Sequence, residues 1–242
     1  VGEKLIGNAG VGALGATSVT TLAGTGAPVT GTTGATAPAT PTAPDAPAVD
    51  ASPSAVIGLT RLAGHQAPAI SLREQTGGSW DLAGAKGKVV VLTFFNAECD
   101  DICPVLAQEI IQADRLLGAR STDVNFVVVN SDPLETSLAP TPPALTQTGL
   151  ATRSNVTFLS GSLVQLDTVW KEYGVTIAVD NTDRVITHND VMDFIGPTGK
   201  LELSATPFAN EDTLGIYSLQ PAVVHAFARG VADSAAGLLK GV

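Results

Sequence analysis

Cys99 and Cys103 are the only two cysteines, and they stand four residues apart in Cys99-Asp-Asp-Ile-Cys103-Pro104. Two cysteines at that spacing across the start of a helix can face one way. They can close a disulfide, exchange one with a partner, or donate two soft thiolates to one metal ion, for which Cu(I) and Zn are the suited metals. Two thiolates alone make an incomplete metal site, so a distant third ligand is expected, with histidine the natural candidate. Of the three histidines, His188 lies just ahead of the apolar run Val191-Met-Asp-Phe-Ile195. His65 sits in a Gly-His-Gln-Ala-Pro turn and His225 on a terminal helix, where ordinary surface or packing roles suffice. Met192, the only methionine, falls in a strand pattern and reads as core rather than as a thioether ligand. The competing structural reading is a static disulfide or two inert buried thiols. The acidic, turn-like surroundings of Cys99 weigh against it.

The elements that position these residues follow from periodicity. Lys88-Val-Val-Val-Leu-Thr-Phe-Phe95 and Val124-Asn-Phe-Val-Val-Val-Asn130 are continuous apolar runs, the pattern of strands buried on both faces. Between them, Pro104 to Leu117 carries apolar residues at 106, 110, 113 and 117, which is helical spacing, with Pro104 in the first turn and Gly118 at the end. The helix start favours a thiolate at Cys103, while Asp100 and Asp101 oppose it. Leu163 to Tyr173 reads as a second amphipathic helix. Val191–Ile195 and Lys200–Ser204 read as a hairpin around Gly-Pro-Thr-Gly, and Pro221 to Leu239 as a terminal helix. Strand–helix–strand followed by hairpin and helix is a thioredoxin-like order. The expected fold class is therefore α/β, with a central mixed β-sheet flanked by helices. In such a sheet the loop carrying His188 faces the end that carries the cysteines.

Composition sets the boundaries. The chain has 242 residues and a formal charge of −10. All eleven aromatic residues lie between Trp80 and Phe227. Residues 1–60 are dominated by Gly, Ala, Thr and Pro and are expected to form a low-complexity linker, because they have little large apolar surface to offset the entropy of ordering. Residues 61–242 are expected to be the folded domain. An acidic chain without a basic cluster is a poor binder of nucleic acid. No run of 18 apolar residues is present to span a membrane. The first residue is Val1, which fits a signal or anchor upstream of this chain. Gly84-Ala-Lys-Gly-Lys88 lacks the glycine and the Ser/Thr that a phosphate loop requires, since Leu82 and Val89 hold those positions.

Taken in order, these features resemble the SCO/SenC family of thioredoxin-like copper proteins. Ala67-Pro68 to Leu72 and Trp80 to Ala83 look like its opening hairpin, and Gly87 to Phe95 like its first core strand. Cys99-x-x-x-Cys103-Pro104 matches its signature motif. Asn130-Ser-Asp132-Pro133 resembles its acidic turn, and Phe158 to Gly161 with Val169 to Gly174 its middle segment. His188 falls at the position of its ligand histidine. Two positions depart from the family: Asp100 stands where proline is common, and Asn96-Ala-Glu98 replaces the usual aromatic or threonine, so the site is more acidic.

The resemblance implies a copper ion, Cu(I) or Cu(II), held by Cys99, Cys103 and His188. It implies delivery to the CuA site of cytochrome c oxidase subunit II, or to another cuproprotein. It also implies an extracytoplasmic protein tethered to the outer face of the cytoplasmic membrane by an anchor absent from this chain. The alternative is a thiol–disulfide oxidoreductase that uses Cys99 and Cys103 as its redox pair to reduce partner cysteines. A peroxide-reducing enzyme on the same fold is disfavoured, because Asn96 stands three residues before Cys99, where Thr or Ser is usual.

Overall fold

The computed structural model describes residues 3–5, 52–99, 102–182, 184–207, 210–211 and 217–241. Along the chain the elements are β1 (Glu3–Leu5), α1 (Pro53–Val56), β2 (Thr60–Gln66), β3 (Ser71–Glu74), β4 (Ser79–Asp81) and β5 (Val89–Phe94). Then come α2 (Cys103–Leu117), β6 (Val124–Val129), α3 (Thr141–Thr148), β7 (Val156–Ser160), α4 (Leu163–Glu172), β8 (Ile177–Asp180) and β9 (Val185–His188). The chain finishes with β10 (Met192–Ile195), β11 (Lys200–Ala205), β12 (Asn210–Glu211), β13 (Tyr217–Ser218) and α5 (Pro221–Leu238).

An eight-stranded mixed sheet, ordered β2-β11-β10-β5-β6-β7-β3-β4, forms the frame. β5, β6 and β7 are parallel, with Val91 opposite Phe126 and Val128 opposite Phe158. Each parallel pair is joined through a helix, as parallel strands require. β10 runs antiparallel to β5, with Met192 opposite Thr93. Every residue of β5 is buried, because both faces of the sheet are covered. Val89, Val91, Phe126, Val128, Met192 and Phe194 face α2 and α5. Val90, Leu92, Phe94, Val127 and Val129 face the other way, onto Leu166, Trp170 and Tyr173. Met192 is thus core, as its strand position implies.

The α/β, thioredoxin-like class expected from the sequence is the one observed. Three local features differ. α2 begins at Cys103, one residue before the proline expected to open it. α3, Thr-Pro-Pro-Ala-Leu-Thr-Gln-Thr, was not legible, because Thr and Pro are poor helix formers. Its prolines sit in the first turn, where their missing N–H costs nothing, and Gly149 closes it with φ +83°. The folded region also begins ahead of residue 61. Val56 and Ile57 are buried in the same core cluster as Phe227 and Val231 of α5, and the Ile57 carbonyl accepts the Thr206 N–H at 3.1 Å. The apolar segment Ala55-Val-Ile-Gly-Leu59 is hidden when composition is averaged over sixty residues. β1 pairs in parallel with β9, Leu5 opposite His188. The rest of the expected linker, together with Asp100 and Asp101, lies outside the described residues.

Candidate functional site

The site is built at the carboxyl ends of β5 and β6, where open α/β sheets hold their ligands. Phe94 and Val129 close the parallel ladder side by side. Just past them the Ser131 N–H donates to the Phe95 carbonyl at 3.4 Å, so the two exit loops stay together. The loop after β5 turns at Asn96, whose side-chain oxygen accepts the Glu98 N–H at 2.8 Å, and delivers Cys99 to the start of α2. There Cys99 and Cys103 form a disulfide, with Cα atoms 5.8 Å apart. Cys103 is the first residue of α2, and the helix has no side-chain cap. The Cys103 N–H donates to the Cys99 sulfur at 3.3 Å. The sequence points to Cys103 as the thiol favoured by the helix start. The geometry gives that N–H to Cys99.

A disulfide across four residues closes a very short loop. Loop-closure entropy then limits its worth to about 2 kcal/mol. Reduction is expected to lower the unfolding free energy by that amount, read as a lower urea midpoint, and to leave the domain cooperatively folded, since the two cores around the sheet are built mainly from other side chains. A loss of the cooperative transition on adding reductant would contradict this.

His188 is not a solvated loop residue. It is the last residue of β9 and is 1% exposed. Its Nδ1 lies 3.0 Å from the Asn189 carbonyl, which can only accept, so Nδ1 carries the proton. Burial pushes the imidazole pKa down, against a smaller upward push from the Asn189 bond, and the ring is neutral. Its lone pair is therefore on Nε2, which accepts from the Ser131 hydroxyl at 3.2 Å. The loop after His188 is held to the same end of the sheet, for the Thr93 hydroxyl donates to the Val191 carbonyl at 3.1 Å. The three residues singled out by sequence thus sit at one end of the sheet. Cys99 and Cys103 are bonded to each other, and His188 is reached through Phe95 and Ser131. Among the described residues, no group of three His, Cys, Asp or Glu side chains is gathered to hold a metal ion. His65 and His225 are exposed.

The sequence marks Asn130-Ser-Asp132-Pro133 as a turn, and the structure adds the contacts that fix it. The Asn130 carbonyl accepts the Trp170 indole N–H at 2.9 Å. The Asn130 amide donates to the Glu135 carbonyl at 2.8 Å, and its side-chain oxygen accepts the Asp132 N–H at 3.0 Å. Asp132 in turn accepts the N–H groups of Leu134 and Glu135. The only advance signal was Asn-Ser-Asp-Pro, a turn composition. A second unforeseen feature is Glu109 on α2. It is fully buried, and neither carboxyl oxygen has a hydrogen-bond partner. Burial, reinforced by the negative charge of Asp190, raises its pKa well above the carboxylate range. Burial likewise pushes Asp190 up to about 8.

The SCO1/SenC family model matches residues 61–215. No curated protein matches the chain by sequence. Among solved structures, copper-bound ScoI of Arabidopsis thaliana is 18% identical, with a TM-score of 0.56 over 73% of this chain and 99% of its own. Copper-bound ScoI of Bradyrhizobium japonicum is 21% identical, with a TM-score of 0.52 over 68% of this chain and 97% of its own. BsSco, described as a cytochrome c oxidase assembly protein with a disulfide switch, is 19% identical, with a TM-score of 0.56 over 74% and 95%. At these identities the structural likeness speaks for the fold. The family match spans more than half of the sequence and includes both cysteines and His188, and on that ground the chain belongs to the SCO1/SenC family.

Proposed function

We propose that this protein handles copper in cytochrome c oxidase assembly, with Cys99, Cys103 and His188 together holding one copper ion, as Cu(I) or Cu(II). The ion is cargo, passed by ligand exchange to the CuA site of subunit II. The observation that supports this reading is that the cysteine pair follows β5 while the neutral imidazole is hydrogen-bonded to Ser131 on the loop after β6, the neighbouring parallel strand. The copper-bound relatives lend it support. The donor set fits the ion, for two thiolates and an imidazole are the soft and borderline ligands that copper selects. The disulfide offers no thiolate, so loading follows its two-electron reduction to the dithiol, and each sulfur gives up its proton on binding metal.

The protein works outside the cytoplasm, tethered to the outer face of the cytoplasmic membrane. A disulfide between the only two cysteines suits an oxidising compartment. Among the described residues no helix is long and apolar enough to cross a membrane.

The test is an anaerobic Cu(I) titration of the reduced protein against a competing chelator. Wild type is expected to hold one equivalent, and His188→Ala to hold it at least about tenfold more weakly, since even an outer hydrogen-bond partner of a ligand is worth that much. Absence of competitive binding would sink the copper reading.

The disulfide itself favours a second reading, in which the reduced pair passes two electrons to a partner disulfide. One thiolate attacks, the other resolves the mixed disulfide, and the chain ends oxidised while the partner ends as a dithiol. That activity would need both cysteines and tolerate His188→Ala.

A further inference from the structure

Ser131 makes a contact that the copper reading does not use. It is completely buried, at the exit of β6, and its N–H is fixed to the Phe95 carbonyl. Its hydroxyl donates to Nε2 of His188 at 3.2 Å, while Nδ1–H is spent on the Asn189 carbonyl at 3.0 Å. Nε2 is the only ring nitrogen with a lone pair to give a metal. In the disulfide state that lone pair is therefore engaged by a serine hydroxyl on the neighbouring loop.

We infer that Ser131 is a positioning residue, a latch that holds His188 by its metal-binding nitrogen while the cysteines are oxidised and that must be exchanged for copper when the reduced site loads. The inference rests on the copper reading above. The exchange is balanced. The O–H···Nε2 bond breaks and a copper–Nε2 bond forms. The serine proton stays on its oxygen, and the Nδ1–H···O bond is kept throughout. The latch aims the ring in the metal-free protein and lowers the affinity for the ion, because loading gives up one hydrogen bond. Its strength is set by one small side chain on a turn that Asn130, Asp132 and Trp170 brace from outside.

The test compares wild type with Ser131→Ala, Ser131→Val and Ser131→Thr, using two readouts. The first is the Nε2 nitrogen resonance of His188 in the metal-free disulfide protein. The second is Cu(I) affinity of the reduced protein by chelator competition. In Ser131→Ala and Ser131→Val the resonance is expected to move away from its wild-type position in the direction of a weaker hydrogen bond, and affinity to rise about fivefold, the worth of one ordinary hydrogen bond. Ser131→Thr keeps a hydroxyl and is expected to match wild type in both. Thermal melts show which variants are folded, and either Ala or Val suffices. An unmoved resonance, or unchanged or weaker affinity in a folded variant, overturns the latch while leaving the copper site standing. Failure of wild type to bind Cu(I), or indifference of its affinity to His188→Ala, removes the copper reading and the latch with it.

Discussion

Cys103→Ala and Cys99→Ala are each expected to lower Cu(I) affinity by far more than the ~10–100-fold that loss of an outer hydrogen-bond partner costs. Each leaves one thiolate and one imidazole, and both break the disulfide. They are not equivalent for the fold. Cys103→Ala keeps the Cys99 sulfur that accepts the first N–H of α2. Cys99→Ala removes that acceptor and with it one hydrogen bond, at a cost of about 1 kcal/mol. Compared in reductant, so that the bond itself drops out, Cys99→Ala should melt several degrees below Cys103→Ala, since 1 kcal/mol moves a domain of this size by about 2–4 °C. Cys99→Ser, whose oxygen can accept, should recover part of the difference. Equal melting temperatures for the two alanine variants would show that the N–H does not depend on Cys99.

The second large effect concerns Glu109. A carboxyl whose pKa is raised in the folded state adds stability that is complete below its unfolded value, near pH 4.3, and is lost as pH rises through the folded value. Glu109 and Asp190 are both raised, Asp190 to about 8, and Asp193 is raised by burial to about 6. All three therefore favour the folded state in mild acid; Asp193 has withdrawn that support by about pH 6 and Asp190 by about pH 8, and Glu109 withdraws its own as pH rises above the usual carboxylate range. His188 acts in the opposite sense. Its lowered pKa makes the fold lose stability as pH falls below about 6.5. Comparing Glu109→Gln with wild type isolates the carboxyl. The variant should melt close to wild type at pH 4.5 and clearly above it at pH 9, since each pH unit of forced ionisation costs about 1.4 kcal/mol. Glu109→Met, which buries no polar group, should gain at both. A difference between variant and wild type that stays constant from pH 4.5 to 9 would contradict the assignment.

The sequence was most readable where apolar residues recur over long stretches. Val89–Phe94, Cys103–Leu117, Val124–Val129, the β10–β11 hairpin and Pro221–Leu238 emerge close to their expected limits. β8 and β9 did not, because each is four residues long and their hairpin is interrupted by polar residues around Thr182 and Arg184. That gap is why His188 reads as a loop residue from sequence and proves to be a strand end. The cysteines and His188 stood out by residue type, since few side chains bind soft metals. Ser131 did not, for a serine in a turn gives no spacing signal. The direction of the Cys103 N–H depends on how the preceding loop folds back, and periodicity carries no information about that.

The strand order also governs how the chain reaches this state. β2 pairs only with β11 among the described strands, putting Thr60 opposite Ser204, and β3 waits for β7, putting Arg73 opposite Ser160. The first strands of the large sheet to be synthesised are thus among the last to find their full complement of neighbours. Such long-range closures place folding in the slow part of the two-state range, milliseconds to seconds. While β11 is missing, β2 and β10 lack the strand that joins them, and open strand edges of this kind are where chains stick to one another. A chain interrupted before residue 200 is therefore the form most in need of protection from aggregation.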